Sequence, residues 1–517
     1  MNDWHQTRWL ERSLLFTLAI HALAMISMTL LLPGLPGGTQ SELSLRAQYV
    51  ADHPWIWRIG WFPWQVTAVS DLLLGVALIA TPWVRKAPAI LGAIITAFAI
   101  VPDQFAQFSW TTSGIALAAN AVTSGDFATY SHYKAKVFVL SAGWGAAGYT
   151  LGAIAWTWSF VSAGVWNNLL KWLSIATWGL FAISTAIAFS PTQVRSSPAV
   201  TMGVSIGNAL AFCCLMLWFA TISECVLRRS RPTSSGSPCN TRGKWRHPGS
   251  GVFPQLCELV ANSHLARRLG QYIPAASMSS DITDVIYINY LVDAALLEPL
   301  AVAPLELQRL GPQGRYAMFT FLTFRHGAFG PSAFGPLRQI WPSPIQSNWR
   351  IYVTNPTTST RGVQFITTAI TTVVHALCSR ILADGVPMHI PAAAKIRRHS
   401  NGSIELRIDP GSGSAPDVKA ELYVSNVGAL PPPWNHCFKS WQDMLEYCVP
   451  QDRALCIQPG TSRVMRQEIS LTIPLDTCKP LTGLVTSSTA DAITRGAQPL
   501  CFLVDQVGFC FKGQIHD

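Results

Sequence analysis

The stretch SLLFTLAIHALAMISMTLLL, residues 13–32, is apolar throughout apart from His21 and a few hydroxyl side chains. A helix needs about 20 predominantly apolar residues to cross the hydrocarbon core of a bilayer. The segment continues into LLPGLPGG without a small-x-small cleavage site, so we interpret it as a retained span and not as a secretory signal. This segment predicts that part of the chain is solvated by lipid.

Five further apolar blocks follow, separated by short polar stretches. They cover residues 65–83, 87–105, 137–161, 172–189 and 200–225. Charged residues make up 12% of the 517-residue chain and the mean hydropathy is +0.27, whereas a soluble protein has about 25% charged residues. The pattern predicts an α-helical transmembrane bundle of six spans over residues 1–227.

The orientation of the bundle follows from lysine and arginine, which are in excess in cytoplasmic loops. One set of loops and flanks contains Arg8, Arg12, Arg85, Lys86, Lys171, Arg228, Arg229 and Arg231. The opposite set contains Arg46, Arg58, Lys134, Lys136 and Arg195. The contrast predicts an integral membrane protein with both termini and the C-terminal domain in the cytoplasm.

Two features inside the bundle are candidates for specific roles. Gly145, Gly148 and Gly152 form a small-residue stripe, which predicts close helix packing within one bundle or at a dimer interface. His21 and Asp71 are ionisable residues at membrane depth, where charge is costly and often functional. No second acidic residue is expected within a neighbouring span, so the sequence favours a neutral, hydrogen-bonded Asp71 over a transport site.

Residues 228–280 are predicted to be a linker rich in Ser, Gly and Pro. The stretch VLRRSRPTSSGSPCNTRGKWRHPGSGVFP is basic, and it either rests against anionic lipid headgroups or is a simple flank of the last span. The net charge of +10 does not indicate nucleic-acid binding, because the basic residues are not massed in a module with aromatic stacking residues.

From residue 281 to 517 the pattern changes to short apolar or alternating segments. Examples are VIYINYLV, RYAMFTFLTFRHG, SNWRIYVTN and SIELRIDP, which are typical of buried strands. Asn401 and Gly402 predict a hairpin turn. Short helices are predicted at 293–300, 372–383 and 441–447. Many strands with few helices indicate a large, mainly antiparallel sheet curled into a barrel or sandwich.

The order of these segments also carries a resemblance. The strand SNWRIYVTN supplies Asn348, Arg350 and Tyr352, and the turn GVPMHIP supplies Gly385 and Pro387. In this order they resemble an uncharacterised bacterial family related to acetoacetate decarboxylase. The resemblance implies a β-barrel with a central pocket, and a protein of the bacterial inner membrane and cytoplasm.

The resemblance also implies a position for a Schiff-base lysine, directly after the proline of the GVP turn. That position is Met388 here, followed by His389, and neither side chain forms a stable imine with a ketone. Lys395 lies seven residues further on, beside two arginines, and we interpret it as a surface residue. The chain is therefore expected to lack Schiff-base chemistry.

The candidate ligand-binding residues are Arg350 and Tyr352, with His389, His375 and Lys395 as weaker candidates. An arginine and a phenol on one strand face suit a small carboxylate. No metal or cofactor motif is found. The favoured function is a membrane-tethered module that binds a small anionic or keto-acid-like ligand; the alternatives are a decarboxylase or hydratase-aldolase, and a transporter or channel-like bundle regulated by the barrel. The oligomeric state stays open.

Overall fold

The computed structural model describes residues 3–195, 197–229, 243–273, 276–383, 385–425, 428, 430–449, 452–457, 463–471 and 473–516. The chain divides into two compact units, Met1–Pro232 and Thr233–Asp517. The first contains helices and the second contains a large sheet with short helices.

The first unit is built from helices joined by short turns. They are α1 (Asp3–Leu31), α2 (Leu43–Asp52), α3 (Pro54–Ala80), α4 (Lys86–Thr111), α5 (Ser113–Ser124), α6 (Ala128–Phe138), a π-helical segment (Val139–Gly145), α7 (Ala146–Ser162), α8 (Asn168–Ala188), α9 (Thr192–Arg195) and α10 (Pro198–Arg229). Six helices in the described residues are long and apolar enough to cross a membrane: α1, α3, α4, the continuous α6 to α7 segment, α8 and α10. Each contains all or most of one of the six apolar blocks.

Long apolar side chains cover the outward faces of these helices. On α3 and α4, Phe62, Phe98, Val101, Phe105 and Phe108 are 63 to 74% exposed. A soluble protein rarely exposes such a contiguous apolar surface, whereas lipid tails solvate it. The exposed apolar side chains lie on helices that correspond to the apolar blocks of the sequence. Both observations suggest a membrane protein.

The third span continues beyond its predicted end. The sequence predicts that the apolar block at 87–105 ends around Pro102 and Asp103, but α4 runs on to Thr111 with Pro102 inside it. Neighbouring helices can compensate for the hydrogen bond that a proline removes, so proline does not have to end a membrane helix. Asp103 is consequently a buried residue inside a span, and the expectation that Asp71 has no acidic counterpart in a neighbouring span is wrong.

The long helices form a closed ring. Contacts join α1 to α3, α3 to α4, α4 to α7, α7 to α8 and α8 to α10, and α10 also packs against α1. Small residues bring α7 and α4 together: a Cβ atom on Gly148 would lie 2.5 Å from Cβ of Ala99, and one on Gly152 would lie 2.6 Å from Oγ1 of Thr96. Gly145 packs in the same way against Asp103. The glycine stripe thus lies in a seam within one bundle.

The second unit contains one mixed sheet. Its strands are β1 (Met278–Asp293), β2 (Glu306–Leu307), β3 (Arg309–Leu310), β4 (Tyr316–Pro331), β5 (Ile345–Asn355), β6 (Thr360–Ile370), β7 (Met388–His389), β8 (Ala393–Arg398), β9 (Ser403–Asp409), β10 (Val418–Val424), β11 (Arg453–Ile457), β12 (Val464–Leu471), β13 (Lys479–Thr486) and β14 (Leu500–His516). The strand order is β1-β4-β5-β6-β11-β12-β14-β13-β10-β9-β8, and β1 also pairs with β14. Most pairs are antiparallel, but β6 pairs in parallel with β11 and β7. The predicted hairpin at Asn401 and Gly402 joins β8 to β9.

Short helices accompany the sheet. They are α11 (Val252–Ala261), α12 (His264–Gly270), α13 (Ala294–Leu297), α14 (Val373–Leu382), α15 (Trp434–Cys437), α16 (Trp441–Cys448) and α17 (Ser488–Thr494). The predicted helices at 293–300, 372–383 and 441–447 correspond to α13 with the turn after it, α14 and α16. The linker predicted for 228–280 is too long, because α11 and α12 lie within it; residues 230–242 are outside the described residues.

The sheet separates two apolar cores. Trp349, Ile351 and Val353 on β5 belong to one core, and Tyr352 belongs to the other. This alternation follows from the period of two along a strand. Arg350, which shares the Tyr352 face, is therefore directed into the interior.

Candidate functional site

The candidate site lies where two rows of side chains cross the sheet on one face. One row runs from Asn289 on β1 through Thr320 on β4 to Arg350 on β5. The neighbouring row runs from Tyr287 on β1 through Leu322 and Asn348 to Thr368 on β6 and Met388 on β7. The two rows share a face because their members on each of β1, β4 and β5 are two residues apart. A bulge in the β5–β6 pairing, between Trp349 and Arg350, places Phe365 opposite Arg350.

Arg350 is the charged group of this site. Its side chain is buried, with 4% of the residue exposed. The guanidinium carbon lies 5.8 Å from the ring centre of Tyr287 and 5.7 Å from that of Tyr352. Nη2 donates a long hydrogen bond of 3.4 Å to the carbonyl of Cys448. In the part of the chain that the structure describes, Nε has no hydrogen-bond partner and no carboxylate forms an ion pair with Arg350.

The position of Cys448 provides partial compensation for the charge. Cys448 is the last residue of α16, and its carbonyl accepts hydrogen bonds from both Arg350 and the hydroxyl of Tyr352. Carbonyl groups at a helix C-terminus carry partial negative charge and lack partners within the helix. The helix end therefore turns a partial negative charge toward the guanidinium, but not a full one.

The groups nearest to Arg350 are neutral at neutral pH. Burial raises the pKa of the Tyr352 hydroxyl, although the Arg350 charge opposes this, and burial raises the pKa of the Tyr287 hydroxyl in the same setting. Burial also raises the pKa of the Cys448 thiol, and it raises that of the Cys478 thiol to about 11. None of these groups supplies the anion that a buried guanidinium would ordinarily have.

Tyr352 is held by a network that fixes its orientation. Its hydroxyl lies 3.2 Å from Oγ1 of Thr320, which donates to Oδ1 of Asn289 at 2.9 Å. Asn289 in turn donates to the carbonyl of Leu500 at 3.0 Å. Tyr287 is different: its ring stacks on Phe502 at 4.4 Å, but its buried hydroxyl has no hydrogen bond of acceptable geometry among the described residues.

Several other buried polar atoms of the second unit lack a hydrogen bond within the described residues, and two of them are close to this site. Within the described residues, Oγ1 of Thr368 and Oε1 of Gln467 make no hydrogen bond. Gln467 abuts the GVP turn, since a Cβ atom on Gly385 would lie 2.7 Å from its Oε1. Buried polar atoms usually have partners. The unpartnered atoms of Tyr287, Arg350 and Thr368 all lie on one sheet face.

The structure separates the other predicted residues from Arg350. His389 lies opposite Ala369 on β6, whereas Arg350 lies opposite Phe365, about 13 Å away along the strand. Nδ1 of His389 is 2.7 Å from Oγ of Ser414, and burial, with a smaller contribution from Arg380, lowers the pKa of His389 to about 3. His375 is bonded to Thr372 and to the carbonyl of Phe329. We interpret both histidines as structural.

Lys395 lies on the surface. It is exposed on β8, and its Nζ is 2.8 Å from Oε2 of Glu405 on the neighbouring strand. Met388, in contrast, is 7% exposed and belongs to the same apolar core as Tyr287 and Tyr352. Met388, the position that corresponds to the nucleophile in the resemblance, is thus in the interior of the second unit. Lys395, the nearest lysine in the sequence, is on its surface.

Four residues near Arg350 and the GVP turn are not among the candidates predicted from the sequence: Tyr287, Thr320, Thr368 and Gln467. A signal was present in VIYINYLV, where Asn289 interrupts an apolar strand two residues after Tyr287. A polar residue within a buried strand indicates a hydrogen-bond network. Which strands lie beside it, and hence which residues meet, depends on the sheet order.

The membrane-buried candidates lie in the first unit. His21 and Asp71 are both buried, with Nε2 of His21 3.9 Å from Oδ1 of Asp71. Together with Asp103 they line a cavity within the ring of helices. The described residues contain no group of three or more His, Cys, Asp or Glu side chains that could hold a metal ion.

Comparison with known proteins gives fold-level similarity of low extent. No family model and no curated protein matches the chain. It is similar to an acetoacetate decarboxylase-like enzyme from Sphingomonas wittichii RW1, with 12% identity and a TM-score of 0.35 over 47% of this chain and 94% of that one. It is also similar to the enduracididine biosynthesis enzyme MppR with HEPES buffer bound (14% identity, TM-score 0.34, 48% and 89% coverage) and complexed with pyruvate (13%, 0.33, 47% and 91%). These similarities assign no activity to this chain, and the family named from the sequence stays a prediction.

Proposed function

We propose that the second unit binds a small carboxylate, such as a keto acid, at Arg350 without Schiff-base chemistry. The observation that carries this proposal is a buried guanidinium surrounded by neutral groups, with its Nε unbonded among the described residues. A carboxylate would supply the missing negative charge and accept two N–H groups side by side. The unpartnered hydroxyl of Tyr287 is available to donate to the same ligand.

The magnitudes support a missing partner. Removing a cation from water costs several kcal/mol even after the protein relaxes. Two cation–π contacts return about 0.5 to 2 kcal/mol each, and the 3.4 Å hydrogen bond to Cys448 is at the long end of the useful range. These contacts reduce the penalty without removing it. A ligand carboxylate would offset most of the remaining penalty, because its full negative charge would pair with the buried guanidinium.

The distribution of lysines supports binding over imine chemistry. A Schiff-base lysine has to be desolvated or placed beside another cation, so that a free amine exists near neutral pH. In the second unit, every lysine whose side chain is described is exposed: Lys244, Lys395, Lys419, Lys439 and Lys479. None of these amines is in the interior with Arg350. A decarboxylase or hydratase-aldolase remains the alternative, acting through electrostatics alone.

The proposed setting is an integral membrane protein. Six apolar helices with exposed apolar faces support the lipid bilayer as the partner of the first unit, and the loop charges support cytoplasmic termini and a cytoplasmic second unit. The resemblance to a bacterial family supports the bacterial inner membrane. In this proposal the helices anchor a cytoplasmic ligand-binding unit.

The test is calorimetric titration of the full chain in lipid nanodiscs. Pyruvate should bind saturably, whereas pyruvamide, which keeps the ketone and lacks the charge, should not. Arg350→Met should weaken pyruvate binding about ten- to a hundred-fold, since a charge-assisted hydrogen bond is worth about 1.5 to 3 kcal/mol. Arg397→Gln, which removes an exposed charge from β8, and Lys395→Ala should leave the affinity unchanged. Equal binding of pyruvamide, or a strong effect of Lys395→Ala, would contradict the proposal.

A further inference from the structure

The first unit contains a partly open cavity of about 280 Å³. All six spans contribute to its wall, so it lies inside the ring that the helices form. Its polar lining includes Asp71 on α3, Asp103 on α4 and Tyr149 on α7, and its aromatic lining includes Trp64, Phe181 and Phe212. A cavity of this size is close to the lower end of the range for small-molecule sites.

Asp71 lacks the partners that a buried carboxylate requires. It is 9% exposed, and its Oδ1 has no hydrogen bond within the described part of the chain. His21 does not satisfy it. Nδ1 of His21 lies 2.9 Å from the carbonyl of Thr17, which can only accept, so Nδ1 carries the proton. In the neutral ring Nε2 is then an acceptor, and it lies 3.9 Å from the Asp71 oxygen.

Asp103 is better satisfied but leaves a second orphan. Its Oδ2 accepts from Nε2 of Gln107 at 2.9 Å and from the hydroxyl of Tyr149 at 3.2 Å. With its amide nitrogen engaged in this way, Gln107 presents an Oε1 that has no partner among the described residues, and Gln107 is 4% exposed. Asp71 and Gln107 thus contribute two unpartnered acceptor oxygens to one cavity. Each of these two oxygens can accept a hydrogen bond from an N–H or O–H donor.

The backbone around the cavity is irregular where the carboxylates are placed. Pro102 directly precedes Asp103 inside α4, and proline removes one helical hydrogen bond. The facing helix is π-helical over Val139–Gly145, and Gly145 packs against Asp103. π-Helical turns are rare and frequently occur at functional sites. The local geometry is therefore unlike that of a helix used only as an anchor.

We infer that this cavity binds a small organic cation, a protonated amine, with Asp71 and Asp103 as its counter-charges. Aromatic rings favour such cations through their negative faces, and the acceptors on Asp71 and Gln107 suit an ammonium N–H. A bare metal ion is disfavoured because the described residues offer no group of three ligating side chains. This site is independent of the carboxylate site on the second unit.

The experiment uses the full chain in nanodiscs with benzylammonium, the protonated form of benzylamine, as the cationic probe. Benzyl alcohol is the neutral probe and benzenesulfonate is the anionic one. Calorimetry on the wild-type chain should show saturable binding of the cation only. Asp71→Asn, which keeps the side-chain shape, should weaken that binding at least about tenfold, and Asp71→Glu should restore part of it.

The control variant is Asp126→Asn, which removes an exposed carboxylate from the turn before α6 in the same unit. It should bind the cation like the wild type, and pyruvate binding should be unchanged in every variant. If benzyl alcohol binds as tightly as the cation, the cavity is merely apolar and the inference is wrong. The same conclusion follows if Asp71→Asn and the wild type bind the cation equally. The wild-type probe comparison decides the question even if a variant does not fold.

Discussion

Replacing Arg350 by methionine should stabilise the second unit when no ligand is present. The variant removes a buried cation that has no counter-ion within the described residues and keeps a long, flexible side chain in its place. Replacing buried charges by apolar groups of similar volume is often neutral or stabilising by about 1 to 4 kcal/mol. The charge loses two contacts with the rings of Tyr287 and Tyr352, worth about 0.5 to 2 kcal/mol each, and one long hydrogen bond to Cys448. These losses place the expected net change at the low end of that range, a gain of about 1 kcal/mol.

The assay is urea unfolding of the full chain in nanodiscs, followed by hydrogen exchange of peptides from β4 and β5. In the absence of pyruvate, these peptides should exchange more slowly in Arg350→Met than in the wild type, while Arg397→Gln should resemble the wild type. At a pyruvate concentration of about a hundred times its Kd, the wild type should gain about 2.7 kcal/mol and the variant should gain nothing. A loss of 3 kcal/mol or more without ligand, the value typical of breaking a buried ion pair, would mean that Arg350 has a structural partner and would refute the reasoning.

Three further predictions concern Met388, His326 and the side of the membrane on which Asp517 lies. Met388→Lys should create a lysine that borohydride traps with pyruvate, because the amine would be buried on the sheet face that carries Arg350 and burial would lower its pKa; trapping in the wild type at the same level would contradict the proposed function. Burial lowers the pKa of His326 to about 4, so the folded second unit excludes a proton that the unfolded chain takes up below pH 6.5. Its stability should therefore fall between pH 6.5 and 4, by about 3 kcal/mol from this group, and the fall should be smaller in His326→Gln than in the exposed control His436→Gln, as measured by urea titration at several pH values. A reporter fused after Asp517 should have cytoplasmic activity, because six spans return the chain to the side of Arg8 and Arg12; periplasmic activity would show that a span was miscounted.

Much of the architecture was open to prediction because it depends on local patterns. All but the last residue of the apolar block at 13–32 lies within α1, and the turn at Asn401 and Gly402 joins two strands, since length and turn chemistry act over a few residues. The face of β5 that carries Arg350 and Tyr352 followed from strand alternation. The exposure of Lys395 followed from its neighbours in the sequence.

The rest depends on contacts between distant segments. The end of the third span was misplaced because Pro102 and Asp103 look like a helix end when the packing of α7 is unknown. For the same reason, no local pattern indicates that Asp103 shares a cavity with Asp71. The polar row from Asn289 to Arg350 is set by the pairing of β1, β4 and β5, whose residues lie up to 61 positions apart. The order of strands in the sheet decides which unpartnered polar groups lie side by side. Local sequence patterns do not specify that order.

The most direct measurement of the central claim is carbon NMR of pyruvate labelled at C1 and C2, added to the full chain in nanodiscs. If Arg350 binds the carboxylate without forming an imine, the C1 carboxylate signal should shift saturably and the C2 signal should stay in the ketone range. The C1 shift should be lost in Arg350→Met and kept in Arg397→Gln. A C2 signal in the imine range, or an equal C1 shift in Arg350→Met, would contradict the central claim.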